Sequence, residues 1–190
     1  MIYLPDLERR NFLGGALASF PLALLGQSAK APAAPVVTKV SAGEDRLGER
    51  HITGISTTAY KVLTADSSGA LFLFEHRNTP GKKGGPPRHL HHDEDEWFYV
   101  IEGQYIAEVG STRVELGPGD SILGPREVPH AWAFVGDTPG RVLIAFTPAN
   151  KMESFFRDNE KRREGGKYVD DPQIYHAYGM ELLGPPLSVK

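Results

Sequence analysis

From Tyr60 to Phe146 the chain is cut by glycine and proline into short runs, and this punctuation constrains the fold more than any other feature. The runs are YKVL, ALFLFEH, EWFYVIEG, QYIAEV, TRVEL, DSILG, HAWAFV and RVLIAF, each four to eight residues long. They are rich in Val, Ile, Phe, Tyr and Trp, and turn sequences such as GSTR, GPGD and GDTPG separate them. No window here sustains a 3.6-residue period long enough for a helix. Regularly spaced short strands without helices predict an all-β sandwich or small barrel.

The pattern changes after Pro148. NKMESFFRDNEKRREGG places Met152, Phe155 and Phe156 on one side of an amphipathic helix, with Gly165-Gly166 as its stop. The helix is expected to cover one end or face of the β body. The tail YGMELLGPPLSVK is apolar enough to dock. With 190 residues and a net charge of −3, the chain suits one globular domain, and nothing in it is basic enough to hold nucleic acid. The absence of cysteine excludes disulfides, thiolate metal sites and cysteine nucleophiles.

Residues 1–31 have the layout of an export signal: Arg9-Arg10, an apolar stretch from Phe12 to Leu25, then Ala29-Lys30-Ala31. The apolar stretch is too short to span a bilayer, which takes about 20 residues. Arg9-Arg10-Asn11-Phe12-Leu13 resembles the twin-arginine signal, whose route carries folded cargo. That resemblance implies passage through the twin-arginine translocase, a periplasmic or secreted location, and no membrane attachment of the mature chain. Residues 32–55 are expected as a leader, 56–150 as the barrel, and 151–190 as helix and tail.

The chemistry concentrates in RHLHHDEDEWFYVIEG, residues 88–103, where three of the seven histidines fall within four positions. In an extended strand His89 and His91 project to one face and His92 to the other. Asp93, Glu94 and Asp95 read as a solvated acidic turn. Glu96 then opens the next strand, close beneath the two imidazoles. Imidazole and carboxylate together suit one divalent transition ion, whether Fe, Mn, Ni, Co, Cu or Zn. A second segment, GDSILGPREVPH, is a strand and proline-bounded turn that delivers His130 at the start of another strand.

These two segments resemble the paired motifs of the cupins, a family of small jelly-roll β-barrels. The first motif runs glycine, a spacer of five, His-x-His, three or four residues, Glu, six residues, Gly. Here it is His89-Leu90-His91, four residues, Glu96, six residues, Gly103. The second runs glycine, five residues, Pro-x-Gly, two residues, His, three residues, Asn. Here it is Gly119, five residues, Pro125, then His130. The resemblance implies that His89, His91, Glu96 and His130 ligate one metal inside the barrel. Three positions depart from the pattern. Lys83 replaces the opening glycine, with Gly84 and Gly85 beside it. Glu127 replaces the turn glycine, at a cost of about 1–2 kcal/mol if that position needs a positive φ. Phe134 replaces the asparagine and makes that part of the wall less polar.

Strand parity extends the site. If Glu96 and His130 face the ion, Phe98, Trp132 and Phe134 share their interior, and Phe74 joins from an earlier strand, so an apolar or aromatic ligand is expected. His51, His76 and His176 read as surface or hydrogen-bonded core residues. Residues 60–157, including GALFLFEHRNTPG, PPRHLHHDEDEWFYVIEG and VPHAWAF, resemble single-domain quercetin 2,3-dioxygenases within the cupins. That resemblance implies ring opening of a flavonol-like or other enolisable aromatic substrate by dioxygen. In it, Glu96 is also catalytic, taking a hydrogen bond or proton from the substrate hydroxyl. The alternatives are a cupin isomerase and a non-catalytic metal- and ligand-binding cupin, since a fold so widely reused warrants no function by itself. A homodimer joined through edge strands is the default assembly.

Overall fold

Side-chain alternation along the short runs sorts the chain into two layers. In Asp95–Glu102, Glu96, Phe98 and Val100 are buried while Trp97 and Tyr99 are partly exposed, so one face packs and the other meets water. The computed structural model describes residues 38–162 and 170–189. The expected export signal and the Gly165-Gly166 stop lie outside the described residues.

The strands are β1 (His51–Thr53), β2 (Ser56–Val62), β3 (Phe72–Asn78), β4 (Pro87–His91), β5 (Asp95–Glu102) and β6 (Tyr105–Val109). They continue as β7 (Thr112–Leu116), β8 (Ser121–Gly124), β9 (His130–Phe134), β10 (Gly140–Thr147) and β11 (Met180–Pro186). Two helices, α1 (Met152–Lys161) and α2 (Pro172–Ala177), separate β10 from β11. One sheet has the order β1-β2-β3-β10-β5-β8 and the other β11-β4-β9-β6-β7, with antiparallel pairing throughout. This is the expected jelly roll. β1 falls inside the segment expected as a leader, because its three residues pair with β2 across a tight turn at Gly54.

Inward-facing aromatics fill the space between the layers. Tyr60, Phe72, Phe74, Phe134 and Phe146 are all buried, with Phe72 packed edge-on to Tyr60 at 5.1 Å between ring centres. Each such phenyl group contributes about 1.5–3 kcal/mol through burial. Pro86 and the residues before it press against β9: a β-carbon on Gly85 would sit 1.8 Å from the Trp132 carbonyl oxygen. Only glycine fits there, so Gly85 is needed for the approach rather than merely flexible.

The C-terminal region covers the barrel as its patterning predicts. α1 buries Met152 and Phe155, and its Phe156 meets Phe74 edge-on at 4.8 Å. α2 starts at Pro172 with the Asp171 carboxylate accepting from the Gln173 amide at 2.8 Å, a capped helix start. Its Tyr175 packs on Phe155 at 5.4 Å. The tail then adds β11 to the edge of β4, pairing Met180 with His91 and Leu182 with His89. Docking was legible in the tail's composition; its form as a strand was not.

Candidate metal centre

Three strands carry the expected ligands to one point. β4 turns His89 and His91 to the interior, β5 supplies Glu96 at its start, and β9 begins with His130, which pairs directly with His89. All four are buried, and one ligand atom from each lies within 4.8 Å of every other. Glu96 Oε2 is 2.9 Å from His130 Nε2, 3.3 Å from His91 Nε2 and 3.8 Å from His89 Nε2. Gly124, opposite Glu96 on β8, makes room for this: a β-carbon there would sit 3.1 Å from His130 Nδ1.

The other nitrogen of each ring is engaged by an acceptor. His89 Nδ1–H donates to the Pro87 carbonyl at 2.8 Å and His130 Nδ1–H to the Val128 carbonyl at 2.9 Å. His91 Nδ1–H donates to Glu94 Oε1 at 3.3 Å. A carbonyl or carboxylate can only accept, so each ring turns its Nε2 to the centre, where it would give its lone pair to a cation once any proton there has left. Glu94 is therefore not the surface group expected from the sequence. It is 1% exposed, and its second oxygen accepts from Asn150 Nδ2 at 3.3 Å. Burial is possible because the acid serves as the outer partner of His91. Asp93 is exposed as expected, and Asp95 is held by Arg126 at 3.0 Å.

The donor set fits a cation. His91 Nε2 is buried without a properly oriented hydrogen-bond partner, although it lies against the Glu96 carboxylate. Burial works to raise the Glu96 pKa, but the His130 ring hydrogen-bonded to it and the His91 ring beside it outweigh burial and hold the carboxyl well below its usual range. Burial, helped by the neighbouring His91 and His130, pushes His89 down to about 3. Burial opposes protonation of His91 too, yet Glu94 and Glu96 raise it to about 9, so a cation entering here displaces that proton. The cluster could hold a metal ion. His92 points outward as parity requires, with Glu127 at 2.9 Å and Glu181 at 3.3 Å.

The centre opens on a cavity of about 490 Å³. Of the four aromatics expected there, Trp132 lines it, while Phe74, Phe98 and Phe134 are packed in the core instead. Strand parity gives the inward face but cannot say how deep along the barrel the open space lies. Ile144 and Phe146 from β10, and Met152, Phe155 and Phe156 from α1, supply the rest of the apolar wall. Strand parity gives no sign of the α1 contribution, although the sequence places the same three residues on one helix face. His51 is buried against Glu160 at 3.0 Å, and His176 is exposed. His76 is neither exposed nor hydrogen-bonded: it lies in the cavity wall, 5% exposed, with both ring nitrogens unpartnered.

The two-sheet body is a jelly roll, and residues 77–146 match the family model described as a cupin domain. A protein of Methanocaldococcus jannaschii named as uncharacterised is 28% identical over 65 residues, 34% of this chain and 52% of that one. A protein named as an oxidoreductase, from Arthrobotrys oligospora, is 28% identical over 125 residues, 65% of this chain and 44% of that one. This chain thus spans about half the length of the curated relatives it matches. Among solved structures, KdgF from Halomonas sp. has a TM-score of 0.45 at 21% identity, covering 53% of this chain and 86% of that one. The polyketide cyclase RemF from Streptomyces resistomycificus has a TM-score of 0.49 at 24% identity, covering 60% and 80%.

Proposed function

We propose that this protein is a metal-dependent dioxygenase acting on a flavonol-like or other enolisable aromatic substrate. The observation that carries the reading is the junction of two features: three Nε2 atoms and a carboxylate meeting at one buried point, and an apolar cavity opening on that point. His89, His91, Glu96 and His130 would hold a divalent transition ion, which when bound supplies Lewis acidity and one-electron chemistry toward dioxygen. The oxidoreductase name of the Arthrobotrys relative points the same way.

The chain's own residues have distinct tasks in this reading. Trp132, Ile144 and Phe146 receive the rings of a flat ligand and keep water from its reactive edge. Glu96, kept ionised by its histidine neighbours, accepts a hydrogen bond from the substrate hydroxyl. Glu94 holds the His91 ring in the orientation the centre needs. Export by the twin-arginine route and a homodimeric assembly belong to the same proposal. The test is oxygen consumption and carbon monoxide release by Fe-, Mn- or Ni-loaded protein offered a panel of flavonols and related enols. Dioxygenation is expected with at least one; a fully loaded protein that consumes no oxygen across the panel overturns the reading in favour of a binding or isomerising role.

A further inference from the structure

The cavity lining reaches solvent at several segments, and they differ in how they are fastened. Among them are the β1–β2 turn at residues 53–56, the loop before β4 at residues 83–86, and the chain that follows β11. The first two are tied down. Glu160 on α1 accepts the Ile52 N–H at 3.0 Å and lies 3.0 Å from His51 Nδ1, which joins β1 to the helix. Gly84 exchanges both backbone hydrogen bonds with Phe134, at 3.0 and 2.9 Å, and Gly85 abuts the Trp132 carbonyl.

The third segment is built differently. The β11 ladder ends at Pro186, which pairs with Pro87, and neither Pro185 nor Pro186 has an N–H to donate. Beyond it, Leu187 and Val189 are half-buried and line the cavity, while Ser188 between them is exposed. That alternation belongs to an extended segment with two apolar side chains turned toward the open space. Among the described residues, none forms a hydrogen bond or an ion pair with residues 187–189. A segment held by two half-buried side chains alone sits at the low end of local stability, well below the other two. Lifting it uncovers little apolar surface, and an apolar ligand lying beneath it adds to the surface it covers on return.

We propose that residues 187–189 form a gating strap, which lifts to admit a small apolar ligand and closes behind it. Leu187 and Val189 then become the outer wall of the occupied cavity, and the chain pivots just beyond Pro186, which stays with β11. The inference rests on the cavity being the ligand site of the proposed function, but it needs neither a bound metal nor dioxygen chemistry.

The test uses the purified full chain and N-phenyl-1-naphthylamine, a neutral apolar probe whose fluorescence rises in apolar surroundings. In stopped-flow mixing, the observed binding rate of wild-type protein should level off at high probe concentration, because opening of the strap becomes limiting. Deleting residues 187–190 leaves β11 whole; it should abolish the plateau and release the probe about tenfold faster, the worth of part of one side chain's burial. The double substitution Leu187→Ser, Val189→Ser should act in the same way, and it carries the test should the truncated chain not fold. Leu183→Ser, at an exposed position of β11, should leave the rates as in wild type. Because the chain has no cysteine, Val189→Cys introduces a single thiol, whose reaction with a disulfide reagent should slow when the probe saturates the cavity. A linear rate dependence in wild type, a plateau surviving truncation, a thiol indifferent to the probe, or no probe binding at all overturns the strap. Oxygen consumption by a protein with ungated probe binding removes the strap alone; gated binding in a protein that consumes no oxygen removes the dioxygenase reading alone.

Discussion

At Glu127 the backbone lies in the left-handed region, with φ 61°, where a side chain is strained by about 1–2 kcal/mol. The turn keeps this conformation because the Glu127 amide donates to the His91 carbonyl at 2.7 Å, tying the approach to His130 onto the strand that carries His91. The compensating His92–Glu127 pair is solvent-exposed and worth little. Glu127→Asn should therefore stabilise the fold by about 0.5–1 kcal/mol, since asparagine tolerates this region, and thermal unfolding will measure it. At Glu94 the expected effect is on metal. Glu94→Ala leaves His91 Nδ1 buried without its acceptor and should weaken metal binding about 10–100-fold, with Glu94→Gln recovering part of the loss. His91→Ala should abolish most bound metal and His92→Ala should not; elemental analysis showing equal loading would refute the assignment of faces along β4.

Among the elements, β3 and β10 share a charged cluster on the opposite side of the sheet from the cavity. Glu75 is 3% exposed, with Arg77 at 2.8 Å, Arg141 at 2.9 Å and Lys61 at 3.7 Å. Burial raises the Glu75 pKa, but hydrogen bonds from Arg141 and Arg77 outweigh it and bring the carboxyl down to about 2 from 4.5. A carboxyl with a depressed folded-state pKa contributes stability that is complete above the unfolded value and lost as pH falls through the folded one. Acid titration should accordingly show stability declining between about pH 4.5 and 2, and Glu75→Gln should flatten that limb. At neutral pH the same substitution should cost about 1–3 kcal/mol by leaving two guanidinium groups without their shared anion. A different dependence joins β11 to β4. Removing residues 180–190 strips β4 of its edge partner and uncovers the backbone beside His89 and His91, so reduced metal content should accompany reduced stability.

For the molecule as a whole, the centre makes metal content a term in stability. An ion that binds the folded barrel but not the unfolded chain stabilises it by about 4 kcal/mol at a thousand times its Kd. In a chain of this size that amounts to roughly 10 °C in Tm. Chelation should lower Tm by that order, and re-addition of the ion should restore it; a Tm indifferent to chelation would mean that the four side chains hold nothing under those conditions. The cavity is bounded on one side by the sheets and on the other by α1, whose Met152, Phe155 and Phe156 are shared between the core and the cavity wall. The helix therefore both completes the barrel and sets the space open to a ligand.

The sequence by itself determined the β class, the turns, the two metal-motif segments and the faces on which His89, His91 and His92 lie. Those properties are local: alternation and turn chemistry act within a few residues, and a motif's spacing survives whatever surrounds it. Tertiary structure decided the rest. Glu94 sits in a run of acids that reads as solvated, and only the approach of His91 and Asn150 from other elements gives it reason to be buried. Parity places Phe74, Phe98 and Phe134 inside, but which inward residues border empty space depends on how two sheets and a helix fill the volume between them. The same holds for His76, whose unpartnered ring becomes visible only when every neighbour across that volume has been placed.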